Sequence, residues 1–339
     1  MAQFTDTHDR YDLSTTGDNV RESLADVIYN ISPTETPFVS NAGRGKSSSD
    51  YKEWLVDSLA AVDTSNAFVD GDEFVADSLN AAERLGNYHQ ISKKQIVVSR
   101  RANKLTKAGR KAEISYQLSK VGDELKRDIE AIAMGNQAAV AGSAGVAPLT
   151  ASLGAWIKTN SFRGATGTDP TLSSTTYGYP DAAAGAGTNT ALSEANLLGI
   201  IKDCYLEGGN PSVVMMHPTV KQLFSNYMFG SSARIATPYQ DHGKNPRGGV
   251  TAVGAVDVYV SDFGTLDVVP NRFQGTDEVW LLDMEYWDLS YIDSFLVEEI
   301  SKTGDATKRH IISDWSICSK NEAASGVVAD VDSTTAMVA

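Results

Sequence analysis

Cysteine is nearly absent from this chain: Cys204 and Cys318 are the two among 339 residues. A disulfide framework or a four-thiolate zinc site is therefore excluded. Long apolar runs are missing too. No stretch reaches the roughly eighteen apolar residues that a membrane-spanning helix needs. Residues 1–16 are polar with scattered charges and hold no apolar segment of signal-peptide type, which points to a cytosolic origin. Basic residues are in the minority, 29 against 43 acids, for a formal net charge of −14. A uniform surface of that sign repels nucleic-acid phosphates, so a dedicated DNA-binding domain is disfavoured.

Catalytic signatures are missing as well. Gly43-Arg44-Gly45-Lys46-Ser47 looks like the end of a phosphate-binding loop, but Ser40 stands where that motif needs its first glycine. A proline-rich stretch also precedes it where a buried strand belongs. Gly185-Ala186-Gly187 begins a dinucleotide fingerprint, and Thr190 breaks it. None of His8, His89, His217, His242 and His310 is paired at metal-ligand spacing. No Gly-x-Ser-x-Gly elbow occurs. Cys204 and Cys318 read as buried packing residues. No catalytic residue, cofactor or metal ligand is assigned.

What is present is ordinary globular composition, 42% hydrophobic and 21% charged, with an unusual order of parts. Val20, Leu24, Val27 and Ile28 share one face of a helix predicted over 18–30, with Asp18 placed to cap it. Pro33 and Pro37 then favour an extended path rather than helix, and 43–49 is a polar hinge. Such an arm cannot form a core of its own. Strands predicted at 51–59 and 87–99 suggest a long hairpin with a broad acidic loop between its arms.

Charge divides sharply inside that hairpin. Residues 50–83 carry nine acids and one base, net −8; residues 84–111 carry nine bases and no acid. The two blocks either neutralise one another within the chain or form a bipolar arm that docks on copies of itself. Next, Ile114, Leu118, Val121, Leu125, Ile129 and Ile132 make an apolar seam along a helix predicted over 105–134, about 45 Å long. Gly122 is a soft spot in it. Residues 136–192 hold eight glycines and four charges, and read as a long loop region. An α/β segment follows over 192–275, then a strand-rich one with Trp280, Tyr286, Trp287, Tyr291, Phe295 and Trp315, taken as a sheet packed on the seam. The end after Asn321 reads as a frayed polar tail.

This order of parts resembles the tailed-phage major capsid proteins of the Hong Kong 97 type. Local motifs carry the likeness: Ile31-Ser32-Pro33-Thr34-Glu35-Thr36-Pro37-Phe38, Ala108-Gly109-Arg110-Lys111, Tyr116-Gln117-Leu118, and Glu124-Leu125-Lys126-Arg127-Asp128-Ile129-Glu130. Ser261-Asp262-Phe263-Gly264, Val268-Val269-Pro270-Asn271-Arg272, Lys302-Thr303-Gly304-Asp305-Ala306 and Asn321-Glu322-Ala323-Ala324 complete the set. The resemblance implies an α+β capsid fold. Its parts would be an N-terminal arm (1–49), an extended loop hairpin (50–99), a peripheral domain (100–137 and 276–325), an axial domain (138–275, including the loop-rich 136–192) and a C-terminal tail (326–339).

It further implies a non-enzymatic shell subunit, made in the host cytoplasm and resident in the virion. Partners would be its own copies in hexamers and pentamers, a portal, decoration or scaffolding proteins, and packaged DNA touched without specificity by an acidic inner wall. No membrane partner is expected. Some relatives cross-link a lysine of the extended loop, but 62–79 contains none, so no cross-linking residue is transferred. Subunit contacts are expected between Asp70, Asp72 and Glu73 of one copy and Lys93, Lys94, Arg100 and Arg101 of another. The alternatives are an encapsulin-like cellular shell protein and, from another class, an α/β hydrolase or nucleotide-using enzyme.

Overall fold

The computed structural model describes residues 34–65, 67–71, 73, 79, 81–106, 112–174, 178–230, 256–302 and 304–338. The helix expected over 18–30 lies outside them. The first element departs from expectation: Pro37 opens a one-turn helix, α1 (Pro37–Asn41). Proline is tolerated at the first helical position because the N–H it lacks would be unpaired there. Strand β1 (Gly43–Lys46) follows directly.

The hairpin exists, but its return arm lies earlier than expected. β2 (Tyr51–Val56) pairs antiparallel with β3 (Glu83–Tyr88), from Tyr51 opposite Tyr88 to Val56 opposite Glu83. The strand expected at 87–99 breaks at His89. Beyond it, β4 (Gln90–Ser99) leaves the hairpin for another sheet. Asn87 and His89 are both buried at the break. The His89 N–H still donates to the Asp50 carbonyl at 2.8 Å, and from Gln90 on the chain pairs with Ala306–Trp315 instead.

The helix expected over 105–134 starts later, and a short helix lies ahead of its range. Ser99 caps α2 (Arg100–Lys104), its hydroxyl accepting from the Ala102 N–H at 3.1 Å. The spine helix α3 then runs over Glu113–Ala133. Its 21 residues span about 31 Å. Leu105, Thr106 and Ala112 are not helical, in keeping with an apolar seam that begins only at Ile114, and 107–111 lie outside the described residues. Val121, Leu125 and Ile129 are buried, and Ile114, Leu118 and Ile132 pack at the margin of the same core.

The segment expected as loop has little regular structure but is not peripheral. It holds α4 (Leu153–Trp156), β5 (Ser161–Phe162), β6 (Thr171–Leu172) and β7 (Pro180–Ala182). Ala151, Leu153, Ala155, Trp156 and Ile157 are at most 1% exposed. The chain continues through α5 (Glu194–Leu206), β8 (Val213–Met216), α6 (Pro218–Gly230), β9 (Val258–Ser261), β10 (Gly264–Pro270), β11 (Val279–Leu282), β12 (Trp287–Ile300), β13 (Ala306–Ser319) and β14 (Gly326–Val328). β12 is one long strand, kinked at a bulge where Phe295 has φ 53°. The expected tail is also corrected. Val327, Val328, Ala329 and Val331 are buried, because β14 is an inner strand of a sheet.

Two sheets organise the body. One runs β1-β12-β13-β4, with α3 packed against β4 and β13. The other runs β5-β14-β11-β8-β10-β9. Strands β14, β11 and β8 are buried on both faces and alternate between two cores. Val214, Met216, Val279, Leu281 and Val328 face α5 and α6 with Leu197, Ile201, Val220 and Phe224. Met215, Trp280, Leu282 and Val327 face the core that contains Trp156, Leu125, Ile129, Trp287 and Trp315. The continuous apolar runs Val213-Val214-Met215-Met216 and Val279-Trp280-Leu281-Leu282 follow from that double burial.

Gly122 lies inside α3 with room to spare, since a Cβ there would meet Ile311 Cδ1 at an ordinary 3.8 Å. Alanine lowers the entropy lost on folding at such a site. Gly122→Ala should stabilise the unassembled subunit by about 0.5–1 kcal/mol, read as a raised midpoint in denaturant.

Candidate functional site

Three parts can act beyond the subunit: the arm, the hairpin with its loop, and the basic block that follows. The arm is tied to the body by Glu130, which has no exposed surface. Its Oε1 accepts from the Phe38 N–H at 2.9 Å, and its Oε2 from the Val39 N–H at 2.8 Å. Asn271 Nδ2 donates to Oε1 at 2.6 Å. Phe38 and Val39 are the first free donors of α1, and Thr36 supplies no side-chain cap. A carboxylate from the spine does that capping from across the core. Burial pushes the Glu130 carboxyl up, and the three donors pull it back. Sequence reading placed Glu130 in a motif without a role. The only local hint is an acid directly after the seam residue Ile129.

The hairpin is held by side chains at its base. Glu53 and Arg84 form an ion pair across it. A Cβ at Gly86 would fall 2.4 Å from the Tyr51 ring, so the close stack at that base requires glycine. Beyond β2 the chain leaves the body. Leu59, Val62, Phe68 and Val69 are 98%, 92%, 67% and 76% exposed, among the acids Asp57, Asp63, Asp70 and Glu73, all exposed. The sequence reading stressed the acids and passed over these apolar residues. Asp72 lies outside the described residues.

The four candidate bases part company on the two sides of β4 and on α2. Lys94 turns toward the spine, with Nζ 2.8 Å from Asp128 and 3.8 Å from Glu124. Arg100 pairs with Asp305 at 2.6 Å. Lys93 and Arg101 are exposed and pair with no acid among the described residues. Lys93 lies opposite Ile312, which lies opposite Leu296, so the three form one row across the sheet. Ile91 and Val97 share that outer face by alternation and are 55% and 56% exposed. The face is therefore apolar with basic points. Lys107, Arg110 and Lys111 lie outside the described residues.

Buried ionisable groups mark the joint between hairpin and sheet. His89 is 2% exposed, with Nδ1 3.4 Å from Asp314 Oδ1. Burial, and then the Lys52 ammonium, push its imidazole down to about 4 against a pull from Asp50. Burial also raises Asp314, with Asp293 and Asp50 adding to the effect. No cluster of three or more metal-ligating side chains occurs among the described residues. No described helix is long and apolar enough to cross a membrane.

Comparison with known proteins places this arrangement. The profile of the SU10 major capsid protein family matches residues 4–332. The major capsid protein of Escherichia phage Phieco32 is 26% identical over 335 residues, covering 90% of this chain and 93% of that one. The capsid asymmetric unit of cyanophage A-1(L) superposes with a TM-score of 0.65 at 13% identity, over 94% of this chain and 99% of that one. The SrpI encapsulin complex from Synechococcus elongatus PCC 7942 superposes at 0.56 with 10% identity, over 97% and 98%. At such identities the structural likenesses carry the fold.

Glu130→Ala should cost the subunit about 2–4 kcal/mol, because it leaves three buried donors unpaired. Denaturant unfolding reads the loss, and an unchanged midpoint would remove Glu130 from the account. His89 gives a pH signature. Its folded imidazole titrates below its ordinary 6.5, so the unfolded chain takes up the proton first as pH falls. The His89 contribution is full above about 6.5 and is lost toward about 4. The raised Asp314 acts in the opposite sense. His89→Gln should therefore show a shallower fall of Tm over that window than the natural protein.

Proposed function

The chain belongs to the SU10 major capsid protein family, and on that premise we propose how its charged hairpin joins one copy to the next. It is a major capsid protein of a tailed phage, a structural subunit of the virion with the Hong Kong 97-type fold. It associates with its own copies to form the icosahedral shell.

The proposed contact sets the exposed loop of one subunit on the outer face of the four-stranded sheet of a neighbour. The observation that carries it is the composition of the two surfaces. Leu59, Val62, Phe68 and Val69 stand exposed among acids on the loop. Ile91, Val97 and Leu296 stand exposed beside Lys93 on the sheet. Apolar surface left open in this way marks an interaction site, and opposite charge steers and orients the approach. Lys93 and Arg101 are the basic points available to Asp70, Asp72 and Glu73. Lys94 and Arg100 already answer acids of their own chain, Lys94 on the spine side of the sheet and Arg100 at Asp305. A closed shell repeats the contact, so each copy of it can be weak.

The same reading assigns the parts. The arm through β1 and the hairpin β2–β3 reach neighbours. The β1-β12-β13-β4 sheet with α3 forms the peripheral body, and the six-stranded sheet with α5 and α6 forms the axial one. Hexamers and pentamers, a portal, decoration or scaffolding partners, and synthesis in the host cytoplasm complete the proposal. The residual acidity of the chain suits an inner wall that DNA touches without sticking. The family match and the phage relative favour this over a cellular encapsulating shell, and neither points to a hydrolase.

Charge reversal at Asp70, Asp72 and Glu73 together should leave the subunit folded by circular dichroism and lower the yield of closed shells at least about tenfold, since like charges then oppose across the contact. Electron microscopy of the particles checks it. Shells in normal yield would sink the proposal.

A further inference from the structure

The hairpin β2–β3 forms a separate two-stranded sheet with no backbone ladder to either of the large ones. Backbone ladders therefore do not set its direction relative to the body; side chains do. Those side chains meet the segment 136–192 from two sides. Below the hairpin, Trp54 stacks on Trp156 with centroids 5.5 Å apart. The buried Asn87 accepts from the Ala151 N–H at 2.9 Å and donates to the Ile317 carbonyl at 2.8 Å. Beside it, Tyr179 meets Tyr88 edge-on at 5.3 Å and Tyr51 at 6.5 Å. Gly178, with φ 56°, brings the backbone so close that a Cβ there would lie 2.8 Å from Leu85 Cδ2.

From this geometry we infer that Ala151, Trp156, Gly178 and Tyr179 form an orientation clamp, and that Tyr179 is the positioning residue that fixes the angle at which the hairpin leaves the subunit. The inference rests on the hairpin being the part that reaches a neighbouring copy. Given that, the angle at its base sets where the tip lands, and so the curvature of the shell. Edge-to-face aromatic contacts suit this task because they are directional as well as apolar. Tyr179 is only half-buried, so its removal tests position more than core stability.

The test compares Tyr179→Ala, Tyr179→Leu and Tyr179→Phe in the full-length chain. In the unassembled subunit, amide exchange over Tyr51–Val56 and Glu83–Tyr88 should quicken about tenfold in the alanine and leucine variants, and stay natural in the phenylalanine variant. Exchange in α3 should not change. Electron microscopy should then show open or mixed-diameter particles from the alanine and leucine variants, and shells of natural diameter from the phenylalanine one. If the alanine variant does not fold, the leucine variant is read alone. Natural-diameter shells from a variant with quickened exchange would overturn the clamp, as would unchanged exchange in the leucine variant. Failure of the docking proposal has a different signature: the Asp70, Asp72 and Glu73 reversal would then assemble normally.

Discussion

A carboxylate with no exposed surface constrains the whole body of this subunit. Glu130 can be buried only if donors surround it, and its donors come from far away in the chain. The Phe38 and Val39 amides lie 92 and 91 residues upstream, and the Asn271 amide lies 141 downstream. Arm, spine and the turn after β10 must therefore arrive in one register. Pro37 takes part by having no N–H, which leaves the next two donors of α1 for the carboxylate. The arrangement makes a helix of one turn worth forming where the local sequence alone would favour extended chain.

The second constraint is the six-stranded sheet as a wall shared by two cores. Period-two alternation sends Trp280 and Leu282 to the core of the spine helix and Val279 and Leu281 to that of α5 and α6. Buried indoles on the first side meet hydroxyls where they can. Trp315 Nε1 donates to Ser92 Oγ at 3.0 Å, and Trp287 Nε1 to Ser325 Oγ at 2.9 Å. These bonds tie β13 to β4, and β12 to the residue that leads into β14. With the body locked in this way, the hairpin and arm can extend from it without unfolding it.

Much of this was legible beforehand. The seam from Ile114 to Ile132, the hairpin that starts at Tyr51 and the α/β character of 192–275 follow from periodicity, which is local. The division of charge between the arms of the hairpin was equally plain. The partners of each base were not. Lys93 and Lys94 are adjacent in sequence, yet strand alternation turns one outward and the other onto Asp128. Short strands such as β14, three residues long, carry too few positions for a pattern. The segment 136–192 has no periodicity because its own ladders are only two or three residues long and contacts with distant parts decide much of its path.

What the sequence determined by itself is the inventory: a soluble-type composition without catalytic motifs, an apolar seam, two charge blocks and an ordered set of motifs that belongs to one family of shell subunits. Tertiary structure alone decided that the acid at 130 caps a helix 92 residues away, that the glycine-rich segment grips the base of the hairpin, and that Lys93 is left open while Lys94 is not. The reason is physical. Propensity and periodicity act over a few residues, whereas burial makes demands that only distant parts of the chain can meet: a charge needs donors, and an aromatic ring needs an edge to pack on.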